Sequence, residues 1–187
     1  MDEGYIKFTP VWTKTEPLPQ THIAELNAFR QKTYDLGLIG AYDNGIGYGN
    51  ISQRHGENNQ FIISGSATGN HVKLGPEHYA LVRNVDIDQN RLHCEGPLLA
   101  SSESMSHAVL YQQLGWVQAV VHVHHRLMWE QLLHQVPTTD QSAAYGTPEM
   151  AYSIIALLGA TDLPQRRIFV MEGHEEGIFV FGESLAE

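Results

Sequence analysis

The heptapeptide AVVHVHH, Ala119 to His125, carries three histidines directly after an apolar run. Successive side chains of a strand point to opposite faces, so His122 and His124 share one side while Val121 and Val123 share the other. Two imidazoles aimed the same way from neighbouring positions are how an HxH pair offers nitrogen ligands to a divalent metal. Valines on the reverse face would seat the strand in a core and hold the pair rigid. Two partly buried histidines satisfied by hydrogen bonds would look the same, and the pair alone does not separate the readings. His125 points away and fits a structural or helix-starting role. His174, in MEGHEEG between two predicted strands, is the best-placed third ligand, because a turn at a sheet edge can carry a side chain over the HxH face. HxH also occurs in cupin barrels, but those need a closer glutamate than Glu130 and an all-β chain, so that fold is set aside.

The elements that must hold these residues can be traced along the chain. Ile23, Leu26, Phe29, Thr33 and Leu36 fall at helical spacing, with Thr21 as N-cap and Gly37 as the stop. Residues 40–60 read as loop, a short strand at Asn50 to Gln53 and a turn at Gly56 to Asn59. Phe61 to Ile63 reads as a strand leading into the glycine-bearing loop SGSATGN, with further strands at Leu81 to Ile87 and Leu92 to Cys94. Ser101 or Ser102 is placed to cap a helix that Gly115 ends. The strand of the histidines, Val117 to His124, precedes a helical HRLMWEQLLHQ. Thr147-Pro148-Glu149 opens another helix, with a capping hydroxyl, a first-turn proline and an acid. RIFVM and GIFVFG close the pattern as two strands. Alternating helices and strands imply an α/β or α+β layer fold around one sheet, with residues 1–187 as a single domain.

Composition narrows the function. The formal net charge of −10 argues against a nucleic-acid groove or an anionic membrane surface. An anionic small substrate remains compatible, because a metal ion or a helix N-terminus reverses the field locally. No apolar run is long enough to span a bilayer, and MDEGYIKFTP has neither the basic start nor the apolar block of a signal peptide. The single Cys94 allows no internal disulfide, which makes a reducing cytoplasm the expected compartment.

Taken in order, YGNIS, the loop ISGSATG, SSESMSHAVLY, AVVHVHH, AAYGTPEMA and VMEGHEEGIFVFG resemble the class II aldolase/adducin family, from about Asn27 to Gly182. Members include fuculose-phosphate aldolase and ribulose-phosphate 4-epimerase. The resemblance implies a three-layer α/β/α fold with a mostly antiparallel central sheet, and a homo-oligomer, commonly a tetramer. It implies that His122, His124 and His174 ligate a divalent metal, usually zinc. It makes Glu103 the general acid/base, and it puts Asn50, Thr68, Gly69, Ser101 and Ser102 at a sugar phosphate. These positions also make chemical sense by themselves. Serines at a helix N-terminus meet free amide groups and a favourable dipole, and glycine lets backbone N–H groups approach phosphate oxygens. Glu103 would feel a metal that keeps it ionised and burial that raises its pKa, opposing pulls that could balance near neutrality.

The activity so implied is that of a zinc-dependent aldehyde-lyase working through an enediolate. An epimerase or dehydratase of the same fold, or a non-catalytic adducin-like module, is the alternative. Two departures stand out. Family enzymes continue past FVFG into helices that can supply a tyrosine; none can be matched here, and Tyr145 lies at a different position. GHEEG also replaces the commoner GHG, which sets Glu175 and Glu176 beside the third ligand.

Overall fold

The computed structural model describes residues 5–187. Strand β1 (Thr9–Lys14) and helix α1 (Gln20–Asp35) lead into a small hairpin, β2 (Gly40–Ala41) and β3 (Gly47–Tyr48). Four strands follow: β4 (Asn50–Arg54), β5 (Phe61–Ser64), β6 (Tyr79–Asp86) and β7 (Arg91–Gly96). Helix α2 (Ser104–Gln113) then delivers the chain to β8 (Ala119–His124). Helices α3 (Arg126–Leu132), α4 (Pro148–Ala160) and α5 (Leu163–Arg166) precede the last strands, β9 (Ile168–Val170) and β10 (Gly177–Gly182).

One eight-stranded sheet runs in the order β1-β7-β6-β5-β4-β8-β10-β9. Every neighbouring pair is antiparallel except β1 alongside β7. Alternation sorts the side chains to two cores. On one face Phe61, Ile63, Val120 and Phe179 pack with Met105 and Val109 of α2 and Met150 and Ile154 of α4. On the other, Ile51, Ile62, Val123 and Ile178 pack with Ile23 and Leu26 of α1, with Trp129 and Leu132 of α3 alongside. The result is helix, sheet, helix: the three-layer, mostly antiparallel arrangement expected. Both sheet faces are apolar because both are covered.

Some local expectations change. Helix α1 starts at Gln20 behind Pro19, not behind a Thr21 cap, since the proline's φ of −54° already sets the extended entry. Its end is as expected: Gly37 at φ +72° closes a Schellman turn, with Gly37 N–H donating to Tyr34 and Leu38 N–H to Thr33. The inward stripe is Ile23, Leu26 and Arg30, while Leu36, already past the last turn, is 72% exposed. Neither Ser101 nor Ser102 caps α2. Glu103 occupies that position, because the Ser101 carbonyl is used in a tight turn that accepts from the Ser104 amide and hydroxyl at 3.0 and 2.7 Å. Thr147 does cap α4, and the His125 ring caps α3 by accepting from Met128 N–H. Strand β1 gives no signal in the sequence: it is exposed along its whole length, so nothing in its composition alternates.

Candidate metal centre and adjoining cavity

Strand β8 lies between β4 and β10, and the register decides what its histidines meet. His122 stands opposite Asn50 on β4 and Phe179 on β10, and His124 stands opposite Gly177. The β9–β10 turn folds back over this face, with Gly177 N–H bonded to the His174 carbonyl at 3.0 Å. Gly177 has to be glycine. A Cβ there would come within 2.9 Å of the His174 carbonyl, 3.2 Å of the His122 ring and 3.3 Å of His174 Nδ1. The structure therefore brings His122, His124 and His174 together, all buried, with one ring nitrogen from each lying within 4.8 Å of the others.

Hydrogen bonds at the far side of the His122 and His124 rings set which of their nitrogens faces inward. A carbonyl can only accept, so His122 Nδ1 carries the proton given to Ile178 O at 3.2 Å. Tyr42 spends its phenolic proton on Glu176 at 2.9 Å, so it accepts from His124 Nδ1 at 2.8 Å. With both rings neutral, the two Nε2 atoms would face each other with lone pairs across 3.0 Å. Glu103 adds Oε2, 2.7 Å from His122 Nε2, and Oε1, 3.1 Å from His174 Nδ1. Buried lone pairs converge this closely only around positive charge. A proton on one ring relieves one contact; a divalent cation relieves all of them. Nitrogens bound to one zinc at about 2.0–2.1 Å would stand roughly 3.3 Å apart, near the 3.0 Å between His122 and His124, and the three nitrogens all lie within 4.8 Å of one another. The donor set fits a metal.

Glu103 is 3% exposed, and its ionisation differs from the sequence expectation. Burial pushes its carboxyl up, but His122 and His174 together outweigh that and hold it well below the ordinary carboxylate range. It is a carboxylate, not a group balanced near neutrality. Burial, reinforced by the neighbouring imidazoles, likewise drives His124 well below the usual histidine value. Behind Glu103 runs a directed polar chain. Tyr111 O–H lies 2.8 Å from Ser52 Oγ, which lies 2.7 Å from His107 Nδ1. His107 Nε2–H reaches Asn50 Oδ1 at 2.6 Å, and Asn50 Nδ2 donates to Glu103 Oε2 at 3.0 Å. Glu103, His107 and Tyr111 recur every four residues, one face of α2. Burial holds His107 neutral, its pKa brought down to about 3 with help from His122. Glu103 Oε1 accepts no well-aligned hydrogen bond among the described residues.

Beside Glu103 opens a cavity of about 280 Å³, lined by Asn50, Thr68, Gly69, Ser101, Ser102 and Tyr48 among others, and, among the described residues, by no lysine or arginine. Gly69 packs against the hairpin so closely that a Cβ would fall 2.2 Å from the Gly40 carbonyl. The loop is braced from behind by Arg30, 1% exposed, whose guanidinium donates to Thr68 O at 3.1 Å and Val72 O at 3.2 Å. The bond to the Thr68 carbonyl sets this cation directly behind a segment of the cavity wall.

All nine residues anticipated from the sequence thus adjoin one region. Sequence reasoning missed Arg30, which keeps step with Ile23 and Leu26, and His107, which keeps step with Glu103. It also missed Tyr42, and the contact of Tyr145, whose ring stacks on His174 at 4.7 Å. Of the two acids in the turn, Glu175 pairs with Arg126 at 3.2 Å and Glu176 with Tyr42.

The model of the class II aldolase and adducin N-terminal domain matches residues 41–187. Among solved structures, an L-fuculose 1-phosphate aldolase is similar at 20% identity and a TM-score of 0.68, over 91% of this chain and 79% of that one. A sugar-phosphate aldolase from Thermotoga maritima is similar at 16% identity and a TM-score of 0.64, over 89% and 87%. YgbL from Klebsiella pneumoniae, described as an aldolase, epimerase or decarboxylase, gives 16% and 0.63 over 89% and 81%. At these identities the likeness is one of fold. No curated protein matches by sequence. Among the described residues, no helix is long and apolar enough to cross a membrane.

Proposed function

This chain belongs to the class II aldolase and adducin N-terminal domain family, and from that premise we propose that it is a zinc-dependent aldehyde-lyase acting on a small sugar phosphate. One observation carries the reading: Glu103 stands between three converging imidazoles and a cavity walled by hydroxyls and glycines. His122, His124 and His174 would hold the ion. When bound, a divalent cation supplies Lewis-acid stabilisation of charge developing on a substrate carbonyl.

The rest falls to the chain's own side chains. Ser101, Ser102, Thr68 and Gly69 offer hydroxyl and amide donors to a phosphate, and Arg30 adds positive charge behind them. Asn50 has both ends of its amide engaged and keeps one N–H for a ligand. Anchoring the phosphate holds the ketone's α-carbon against Glu103, which is positioning rather than chemistry. In the condensation direction the Glu103 carboxylate takes the α-proton and leaves the electron pair delocalised over α-carbon and carbonyl. That pair forms the bond to an aldehyde carbon, whose oxygen then takes up a proton; cleavage is the reverse. Oε1, with no well-aligned partner among the described residues, is the oxygen left for this transfer.

The experiment is Glu103→Gln with metal content and retro-aldol turnover measured together. Metal should persist while turnover falls by about 10²–10⁴; undiminished turnover removes Glu103 from the mechanism. Chromatography of the products distinguishes cleavage from epimerisation, dehydration or decarboxylation. Assembly into a homo-oligomer accompanies this reading, supported by Leu36, Val72 and Leu127, which are large, apolar and exposed. A single domain in a reducing cytoplasm does too, supported by the one large sheet and the buried thiol of Cys94.

A further inference from the structure

The GHEEG turn is more than a spacer. Glu176 sits at φ +71°, a left-handed conformation that residues with a Cβ rarely adopt and glycine takes freely. A side chain kept in such a place calls for a reason, and its contact supplies one. Glu176 Oε2 accepts from the Tyr42 hydroxyl at 2.9 Å, and the Tyr42 oxygen lies 2.8 Å from His124 Nδ1. The hydroxyl has one proton, so the direction is fixed: His124 N–H to Tyr42 oxygen, Tyr42 O–H to Glu176 carboxylate. The two partners come from distant places, Tyr42 beyond the β2 strand and Glu176 just ahead of β10, and meet only because β4 and β10 flank β8. Glu175, one residue earlier, turns away to Arg126.

We infer that Tyr42 and Glu176 are positioning residues for the metal, a carboxylate–phenol–imidazole relay that locks His124 with Nε2 facing the ion. The inference rests on the three-histidine metal reading and adds residues beyond it. A ligand imidazole whose other N–H is given to a hydrogen-bond acceptor is fixed in tautomer and ring angle and is a better electron donor. His122 obtains the same service from the Ile178 carbonyl, which no side-chain change can remove. His124 obtains it from side chains, so of these two rings His124 is the one that substitution can test.

The test is zinc affinity of the full chain, read by competition with a chromophoric chelator, for wild type, Tyr42→Phe and Glu176→Gln. Tyr42→Phe deletes one oxygen and keeps the ring, which packs on Tyr48 with centroids 4.7 Å apart. It should weaken zinc binding by about 10–100-fold, and Glu176→Gln should weaken it in the same direction by less. Nitrogen-15 imidazole spectra of the zinc-loaded wild type should show His124 protonated at Nδ1. Wild-type affinity in both variants, or His124 protonated at Nε2, overturns the relay. A wild type that takes up no zinc overturns the metal reading instead, and the two failures are distinct.

Discussion

Two hydrogen-bonded chains support the candidate site, and they run in opposite directions. Behind Glu103 the links go inward through Asn50, His107, Ser52 and Tyr111, all buried; behind His124 they go outward through Tyr42 to Glu176, both half-buried. The inner chain is neutral and sealed, so its groups depend on one another for their hydrogen bonds. The outer chain ends in a carboxylate near solvent, where water can stand in for a lost link. The same donor–acceptor chemistry therefore acts on different quantities: fold stability inside, ligand geometry at the rim.

The largest expected effect comes from cutting the inner chain. His107→Leu leaves Asn50 Oδ1 without its partner in the core and Ser52 Oγ with Tyr111 alone, and should destabilise the protein by about 2–4 kcal/mol in denaturant titrations at pH 8. A cost below about 0.5 kcal/mol would mean that the chain is not what holds this region. The same histidine gives a pH signature. Folded His107 titrates at about 3, unfolded histidine near 6.5, so between those values the unfolded state binds the extra proton. Stability is then full above about pH 6.5 and falls as the pH drops towards 3, by something on the order of 3–5 kcal/mol. Glu103 acts in the same sense lower down: its depressed pKa contributes stability above about pH 4.3 that is lost as the pH falls through the folded value. The leucine variant should flatten the upper part of this acid limb, from about pH 6.5 downward.

Cutting the outer chain should do less to the fold. Tyr42→Phe keeps the ring and should leave metal-free stability within about 1 kcal/mol of wild type, the ordinary scale of one hydrogen bond. A destabilisation matching that of His107→Leu would erase the contrast between the two chains. The smallest effect belongs to Glu175→Ala. Its partner is the exposed Arg126, so zinc affinity and thermal midpoint should both stay unchanged. Loss of zinc in that variant would show that the wrong acid of the turn has been assigned.

The sequence carried the histidine strand well, because period-two alternation is local: Val120, His122 and His124 needed only a strand to share a face. His174 was readable as a turn between two strands, but its approach to His122 depended on β10 pairing with β8, and the enabling signal was Gly177. Arg30, Tyr42 and His107 were not read, since each acts on a partner brought close by strand order rather than by spacing. The spacing of Glu103, His107 and Tyr111 did mark one helix face, yet its partners Asn50 and Ser52 become neighbours only once β4 lies against β8. The misplaced caps at Thr21 and Ser101/Ser102 share one cause: hydroxyl side chains near a helix start are the strongest local cue, and here proline geometry and a cavity-forming turn displaced them.

The most direct test of the account is elemental analysis of freshly purified protein beside His174→Ala. One divalent ion per chain in the wild type and none in the variant is the outcome it requires. A wild type free of metal even after micromolar zinc, or a variant that keeps a full complement, would contradict it.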